Sequence, residues 1–458
     1  MRETSLLKFF IKSHGTFLIL IVIYRLFTDL IYGKIIFRYY AEIYKYVNKE
    51  SLFSVLTSWI IFLIFGILTI RYYYKENSPS NSLVIFLFLI QIVPYTSMIM
   101  YGNFELSYII ANTTYWVIFY FAMLLFDHTS VKTYHVICVN SDHKHLSDSD
   151  KIRTVTILFA IFIIYMVGRY SHFRINFDID MVYLLRSEAK NYNVPTFFRY
   201  LYGWAGYVNA FLIAYNIRRK NVKISFLLGI LQVFMYGYDG MKGPFFFAIF
   251  VILINCFLPK IRISSLNAVC LYSLTGLVIF IYVFNKITGS CLLAQLFTNR
   301  LGFITNQIAH AYFQFFTTHE PDYFRTSFLR YFGIKSPYTD IYGMISVWFF
   351  GLEEVANSGL LSDAMTNFGL AGIFIMPWIV AFTLKLFDNC VKDADARIQI
   401  PVAFYLFLML TSMFYLSCIL TGGLIIIGFL LKWISKDLKV REMKDKSVIK
   451  FSKQLRSI

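Results

Sequence analysis

Charged side chains are scarce in this chain. Asp, Glu, Lys and Arg together make up 15% of its 458 residues, where ordinary soluble domains carry about 25%. Hydrophobic residues reach 58% and the mean hydropathy is +0.60. A soluble protein of that composition would expose large apolar patches. The composition therefore excludes the roughly three soluble domains that the length alone suggests. Cysteine is sparse and scattered. Cys138, Cys256, Cys270, Cys291, Cys390 and Cys418 form no CxxC pair, which excludes a disulfide framework and a zinc ribbon. There is no phosphate-cradling P-loop, no serine nucleophile elbow and no HExxH, so nucleotide-driven transport and metalloprotease chemistry are unsupported, and no cofactor is implied. Heptads, internal repeats, low-complexity segments and a large inner domain of the kind a cytosolic nucleotide-sugar enzyme needs are also missing.

What is present is apolar helix. A bilayer core of about 30 Å requires about 20 apolar helical residues. About twelve such stretches occur, near 16–32, 52–70, 83–101, 108–126, 155–170, 200–217, 224–238, 244–258, 266–284, 368–387, 400–416 and 418–434. The fold class expected is all-α: a polytopic helical membrane protein, one integral membrane domain over residues 1–458. The first stretch has no small-residue cleavage site after it and reads as an anchor. Aromatics are 19% of the chain, with 49 Phe and 34 Tyr, so interfacial and cavity-lining rings are expected.

Lys and Arg placement sets the orientation. With both termini in the cytoplasm and an even number of spans, the inside segments hold 26 Lys and Arg, the outside segments about half as many. The basic tail 435–458 and the loop Arg218-Arg219-Lys220 are the strongest inside markers. The net charge of +17 then faces anionic membrane lipid and requires no nucleic acid.

Two outer loops are enlarged, 171–198 and 285–367, and loops carry function on rigid scaffolds. In the second, Leu293, Phe297, Leu301, Ile304, Ile308, Tyr312 and Phe315 hold one face of a 3.6-residue period. Arg300, Gln307, His310 and Gln314 hold the other. Two readings stand side by side: a helix lying in the membrane interface, or a helix roofing a cavity with Arg300 and His310 pointing in. Further on come His319, Glu320, Asp322, Arg325, Arg330 and Lys335, then an aromatic tract, Trp348-Phe349-Phe350, and the pair Glu353-Glu354.

The stretch from Arg300 to Phe316, followed by Asn357-Ser358-Gly359, Asp363 and Phe368-Gly369-Leu370-Ala371-Gly372 entering a helix, resembles the bacterial oligosaccharide repeat-unit polymerases, the O-antigen polymerase (Wzy) family. The span count, the enlarged outer loops and the aromatic richness match that layout. The resemblance implies a GT-C-like fold in the bacterial inner membrane. It also implies a reaction that joins undecaprenyl-pyrophosphate-linked oligosaccharides on the periplasmic face, with a chain-length regulator and a flippase as partners. Members that carry an Arg followed eleven residues later by Gly in both outer loops have no counterpart here. The resemblance thus supports cationic outer loops rather than one particular Arg.

That reaction needs fixed cations for the departing pyrophosphate and a base for the attacking hydroxyl. Arg meets the first need with a planar fork of donors. The candidate cations are Arg169, Arg174, Arg186, Arg199, Lys242, Arg300, Arg325 and Arg330, each with membrane-interface snorkelling as the alternative. The candidate bases are Glu353, Glu354, His310, Asp363 and Asp322. For Glu353-Glu354 the other reading is a helix start. Asp239 and Lys242 flank a glycine-bearing kink, where they either pair with each other or act in function. Asp178-Ile179-Asp180 would suit a metal but recurs on the inside at Asp148/Asp150 and Asp393/Asp395, so no metal is assigned. Arg25 and Asp29, four apart, read as an ion pair or as a lipid-phosphate contact. His128, His135, Cys138, His143 and His145 read as a solvated loop. The runner-up functions are an O-antigen ligase and a flippase or transporter of lipid-linked oligosaccharide.

The orientation is open to a direct check. A cysteine placed at Lys335 is expected to react with a membrane-impermeant maleimide in intact cells, and one placed after Lys446 only after permeabilisation. The reverse pattern would invert the topology.

Overall fold

A computed structural model describes residues 14–74, 78–128, 147–176, 181–257, 266–327, 329–353 and 356–455. Among them there is no strand, and helix follows helix. This is what an apolar chain does in lipid, where only a helix or a closed barrel satisfies the backbone internally. Among the described residues seven helices are long and apolar enough to cross a bilayer: Gly15–Tyr44, Leu52–Tyr74, Pro79–Met100, Leu106–Asp127, Asp148–Ser171, Asn267–Thr288 and Leu361–Val391. The protein is a multi-pass helical membrane protein by that measure. Helices also occupy Thr196–Arg218, Val222–Asp239, Lys242–Phe257, Ala396–Ser412 and Leu424–Leu455, where the sequence places the other five spans. Lys242–Phe257 and Ala396–Ser412, at 16 and 17 residues, are short for the purpose. The last two expected spans meet differently from expectation: a short helix, Tyr415–Leu420, stands between breaks at 413–414 and 421–423.

The chain forms two compact units. The first takes Met1–Lys132, Ile263–Lys385 and Leu406–Ser417; the second takes Thr133–Arg262, Leu386–Tyr405 and Cys418–Ile458.

In the first unit Pro79–Met100 is the most enclosed helix, with 89% of its apolar window buried. Ser78 caps it by accepting from the Asn81 N–H, and Pro79 occupies the first turn, where a missing N–H costs nothing. Residues 88–92 widen to a π turn. There the Ala294–Phe303 segment crosses, itself π-helical. Gly302 permits the crossing: a Cβ there would stand 2.7 Å from Pro94 and 2.9 Å from the Ile90 carbonyl. Gln91, buried in this crossing, donates to the Leu301 carbonyl at 2.6 Å and accepts from the Thr305 hydroxyl at 3.0 Å. The buried pair Arg25–Asp29 (2.8 Å) is structural. Arg25 also donates to the Thr96 hydroxyl and, at 3.4 Å, to the Ser58 hydroxyl, and its guanidinium lies over Trp59 and Phe62. One side chain thus ties three helices together.

In the second unit Thr196–Arg218 packs on Val222–Asp239 and Lys242–Phe257. Gly206 lets Pro244 approach, since a Cβ would lie 2.6 Å from the proline Cβ. Beside it Asn209 donates to Gln232 at 2.7 Å and Gln232 donates to the Pro244 carbonyl at 3.1 Å. At the other end of the long helix, Arg218 pairs with Asp395 and with Glu442.

Removing one partner of a buried ion pair strands the other, at a cost of about 3–5 kcal/mol. Arg25→Ala is therefore expected to lower the thermal midpoint in detergent sharply, and Arg25→Met combined with Asp29→Leu to recover most of the loss. A double variant as unstable as the single one would contradict a simple ion-pair role.

Candidate functional site

The second unit gathers the cations of the first enlarged outer loop. The Val167–Ser171 π turn ends in two residues with left-handed backbone, His172 (φ 49°) and Phe173 (φ 56°). The Phe173 ring settles over Gly168, where a Cβ would meet it at 3.0 Å, and against Phe234 at 5.4 Å. The next residue crosses the Val222–Asp239 helix at Gly237. A Cβ on Gly237 would stand 1.9 Å from the Arg174 carbonyl oxygen, so no other residue type fits. Arg174 is held by this crossing. Its Nε donates to the Gly237 carbonyl at 3.3 Å and its Nη1 pairs with Glu188 at 2.7 Å. Its Nη2 is buried and has no acceptor among the described residues. A buried guanidinium N–H without an acceptor is costly, and a ligand oxygen would satisfy it.

Tyrosines cluster in the same unit. Tyr192 lies 5.7 Å from Tyr170 and 5.3 Å from Tyr238, and Tyr238 lies 4.4 Å from Tyr202, centroid to centroid. Arg199 donates to the Tyr192 carbonyl at 2.8 Å. Gly240, left-handed at φ 64°, ends the helix by donating to the Tyr236 carbonyl at 2.8 Å. That turn presents Asp239, whose Oδ1 accepts from the Met241 N–H at 2.8 Å. Burial pushes the Asp239 carboxyl up to about 7, against the opposing pull of the Met241 N–H and the Arg186 charge. No ion pair joins Asp239 to Lys242 among the described residues; half-buried Lys242 opens the next helix instead. A narrow cleft of about 10 Å³, room for about one water molecule, runs past Asp239, lined also by Tyr202, Gly203, Gln232, Met241 and Pro244. Arg169 sits exposed on the π turn with no hydrogen bond or ion pair among the described residues, as a snorkelling side chain would.

The first unit holds the other candidates, and it does not bring them to one point. The Ile304–Phe316 helix is neither interfacial nor a roof with two inward cations. Its polar face is buried along with its apolar face, while Arg300 is exposed on the π segment before it. His310 Nε2 meets Glu105 at 2.5 Å among the rings of Phe104, Tyr108 and Phe349. Burial raises the Glu105 carboxyl, but the hydrogen bond and charge of His310 outweigh it and hold it below the ordinary carboxylate range. Asp363 is buried with both oxygens engaged, one by the Asn367 amide at 2.6 Å and one by the Tyr415 N–H at 2.7 Å. It clamps the start of the Leu361–Phe368 helix. Asp322 is also fully buried and accepts from Thr326 N–H and hydroxyl and from Ser336, so it organises its loop. Arg325 bonds that same loop, through Glu320 at 3.0 Å and the Pro321 carbonyl at 2.8 Å. Arg330 is exposed over Tyr331. Glu353 is exposed in a bend, and no helix begins there; Glu354 lies outside the described residues. An uncharged polar pocket of about 20 Å³ lies where the chain breaks before Leu361, lined by Gln91, Asn112, Asn306, Ser358, Gly359 and Thr411 among others.

Among the described residues no three His, Cys, Asp or Glu side chains could share a metal ion. Asp178, Asp180, His135, Cys138, His143 and His145 lie outside those residues, as does the side chain of His128. Compared with protein-family models, curated proteins and solved structures, the chain matches none. The residues that reading the sequence passed over are Gly237, Glu105 and the four tyrosines. The Tyr-Gly-Tyr-Asp-Gly run at 236–240, a glycine between rings ahead of a second glycine, was the available signal for the first.

Two outcomes follow. Gly237→Ala is expected to displace the 173–176 crossing and expose Arg174 to trypsin while the fold survives; unchanged cleavage would contradict the crossing. Glu105 has a lowered carboxyl, so its contribution to stability is present above the ordinary carboxyl value of about 4.3 and is lost as pH falls through its folded value. Glu105→Gln should therefore be less stable than wild type at pH 7 and equal to it near pH 3, read by thermal unfolding. A gap that persists at low pH would contradict the assignment.

Proposed function

We propose that this chain is a bacterial inner-membrane glycosyltransferase. Its reaction polymerises oligosaccharide repeat units carried on undecaprenyl pyrophosphate, on the periplasmic face. A sugar hydroxyl of the incoming unit attacks the anomeric carbon of the growing chain. The bond from that carbon to the pyrophosphate oxygen breaks, the pyrophosphate leaves on its lipid, and the hydroxyl proton passes to a base. The observation that carries the reading is the buried, unsatisfied Nη2 of Arg174. Arg174 and Arg186 would meet the charge that develops on the departing pyrophosphate, and the tyrosines of the same unit offer aromatic faces suited to the apolar faces of sugar rings. The GT-C-like architecture, the twelve-span layout and the need for a chain-length regulator and flippase belong to the same proposal. An O-antigen ligase would use the same chemistry with a different acceptor.

A transporter of lipid-linked oligosaccharide is the second reading, and one observation favours it. The chain unwinds at 356–360 before the Leu361–Phe368 helix and turns again at Gly369–Ala371, with uncharged polar side chains buried at the break. Interrupted helices of this kind line transporter sites.

Deleting the gene and resolving the surface glycolipid by electrophoresis separates the three. A polymerase predicts collapse of the chain-length ladder to core plus one repeat. Arg174→Ala is expected to reproduce the collapse, and Arg174→Lys to restore the ladder in part at most, because a lysine offers no planar fork. Long chains stranded on the carrier lipid would make it a ligase. Absence of even a single repeat at the outer face would make it a transporter.

A further inference from the structure

Asp239 ends the Val222–Asp239 helix in the second unit with one carboxylate oxygen engaged. Its Oδ1 is fixed by the Met241 N–H at 2.8 Å, and its Oδ2 makes no hydrogen bond among the described residues. Asp239 lines the narrow cleft. The wall opposite is rigid. Gln232 is pinned between Asn209 and the Pro244 carbonyl, and the Tyr202 hydroxyl donates to the Met235 carbonyl at 3.1 Å. Neither competes for the open oxygen. The groups that act on it or feel its charge come from three elements: Arg186 on the Val182–Asn191 helix, Tyr202 on Thr196–Arg218 and Tyr238 on its own helix. Glu188, the acid on the Val182–Asn191 helix, is occupied by Arg174.

We propose that Asp239 is the proton acceptor of the transfer, a catalytic residue whose free oxygen takes the hydrogen of the acceptor sugar hydroxyl as that hydroxyl's oxygen bonds to the anomeric carbon. The electron pair of the broken carbon–oxygen bond leaves with the pyrophosphate, and the proton on Asp239 returns to solvent through the cleft. This assignment rests on the glycosyltransferase reading above. It differs from the bases that the sequence suggests, since Asp363 has both oxygens taken and His310 is turned to Glu105. The medium reinforces it: burial keeps the carboxyl titrating close to neutrality, where a general base is most effective.

The test uses the full chain purified into lipid nanodiscs. Its substrate is the polyprenyl-pyrophosphate-linked repeat unit extracted from a host lacking this gene. Chain growth is followed across pH 5.5–8.5, and substrate retention is measured in parallel. Asp239→Asn is expected to bind substrate as wild type does and to lose about 10²–10⁴-fold in rate, the range for removing a general base. The acidic fall in rate near pH 7 that wild type shows should vanish. Asp239→Glu keeps a carboxyl and should retain that fall at an intermediate rate, which covers the case of an Asn variant that does not fold. Asp239→Asn within threefold of wild type, or Asp239→Glu without the acidic fall, overturns the assignment. If those variants stay active while Arg174→Ala does not, the base is elsewhere and the glycosyltransferase reading stands. If wild type elongates nothing, that reading fails and takes the assignment with it.

Discussion

A backbone inside lipid has no water to bond to, so every departure from helix must be answered by protein. That constraint explains why the interesting features of this molecule sit where they do. Two of the places where the chain leaves helical geometry are covered by another segment pressed close. The crossing at 173–176 lies on Gly237, and the break at 356–360 lies on the carbonyls of Leu410 and Met413, which a Cβ on Gly359 would strike at 1.9 and 2.6 Å. Glycine makes both contacts possible because it has nothing to collide. The polar groups freed at these breaks are the groups able to address a ligand.

The two breaks differ in charge. Around 356–360 the buried side chains are uncharged, and Asp363 spends both its oxygens on local bonds. Around 173–176 and 237–242 there are cations, the acids Asp239 and Glu188 and a cluster of tyrosines. Chemistry on a lipid-linked pyrophosphate needs charge of both kinds, cations for the leaving group and a base for the nucleophile. The second arrangement has them within one unit; the first does not.

Much of the architecture could be read from residue order. Long apolar runs placed the seven spanning helices, and the spacing of four between Arg25 and Asp29 announced an ion pair that the fold confirms. The polar face of 293–315 was visible too, but its destination was not. Periodicity reports that two faces differ, not what meets them. Here the polar face meets Gln91 and Glu105, some two hundred residues away in sequence. Asp363 and Asp322 looked like bases because a carboxylate in a sequence has no visible partners. Both turn out to be fully bonded. Asp239 read either as one half of a local pair with Lys242 or as a functional charge, and the left-handed glycine between them turns Asp239 to the Met241 N–H. The closeness of Arg174 to Gly237 is a contact between segments sixty residues apart, which no local pattern encodes.

The central claim is that the cleft of the second unit receives the pyrophosphate end of a lipid-linked substrate. A polyprenyl pyrophosphate bearing a photoreactive group near its phosphates, incubated with the protein in nanodiscs and mapped by mass spectrometry after irradiation, addresses it most directly. The account predicts adducts within 170–202 and 236–245, displaced by unlabelled polyprenyl pyrophosphate and not by the corresponding polyprenol. Adducts confined to the Gln91, Asn306 and Ser358 pocket of the first unit, or displaced equally by the polyprenol, would contradict it.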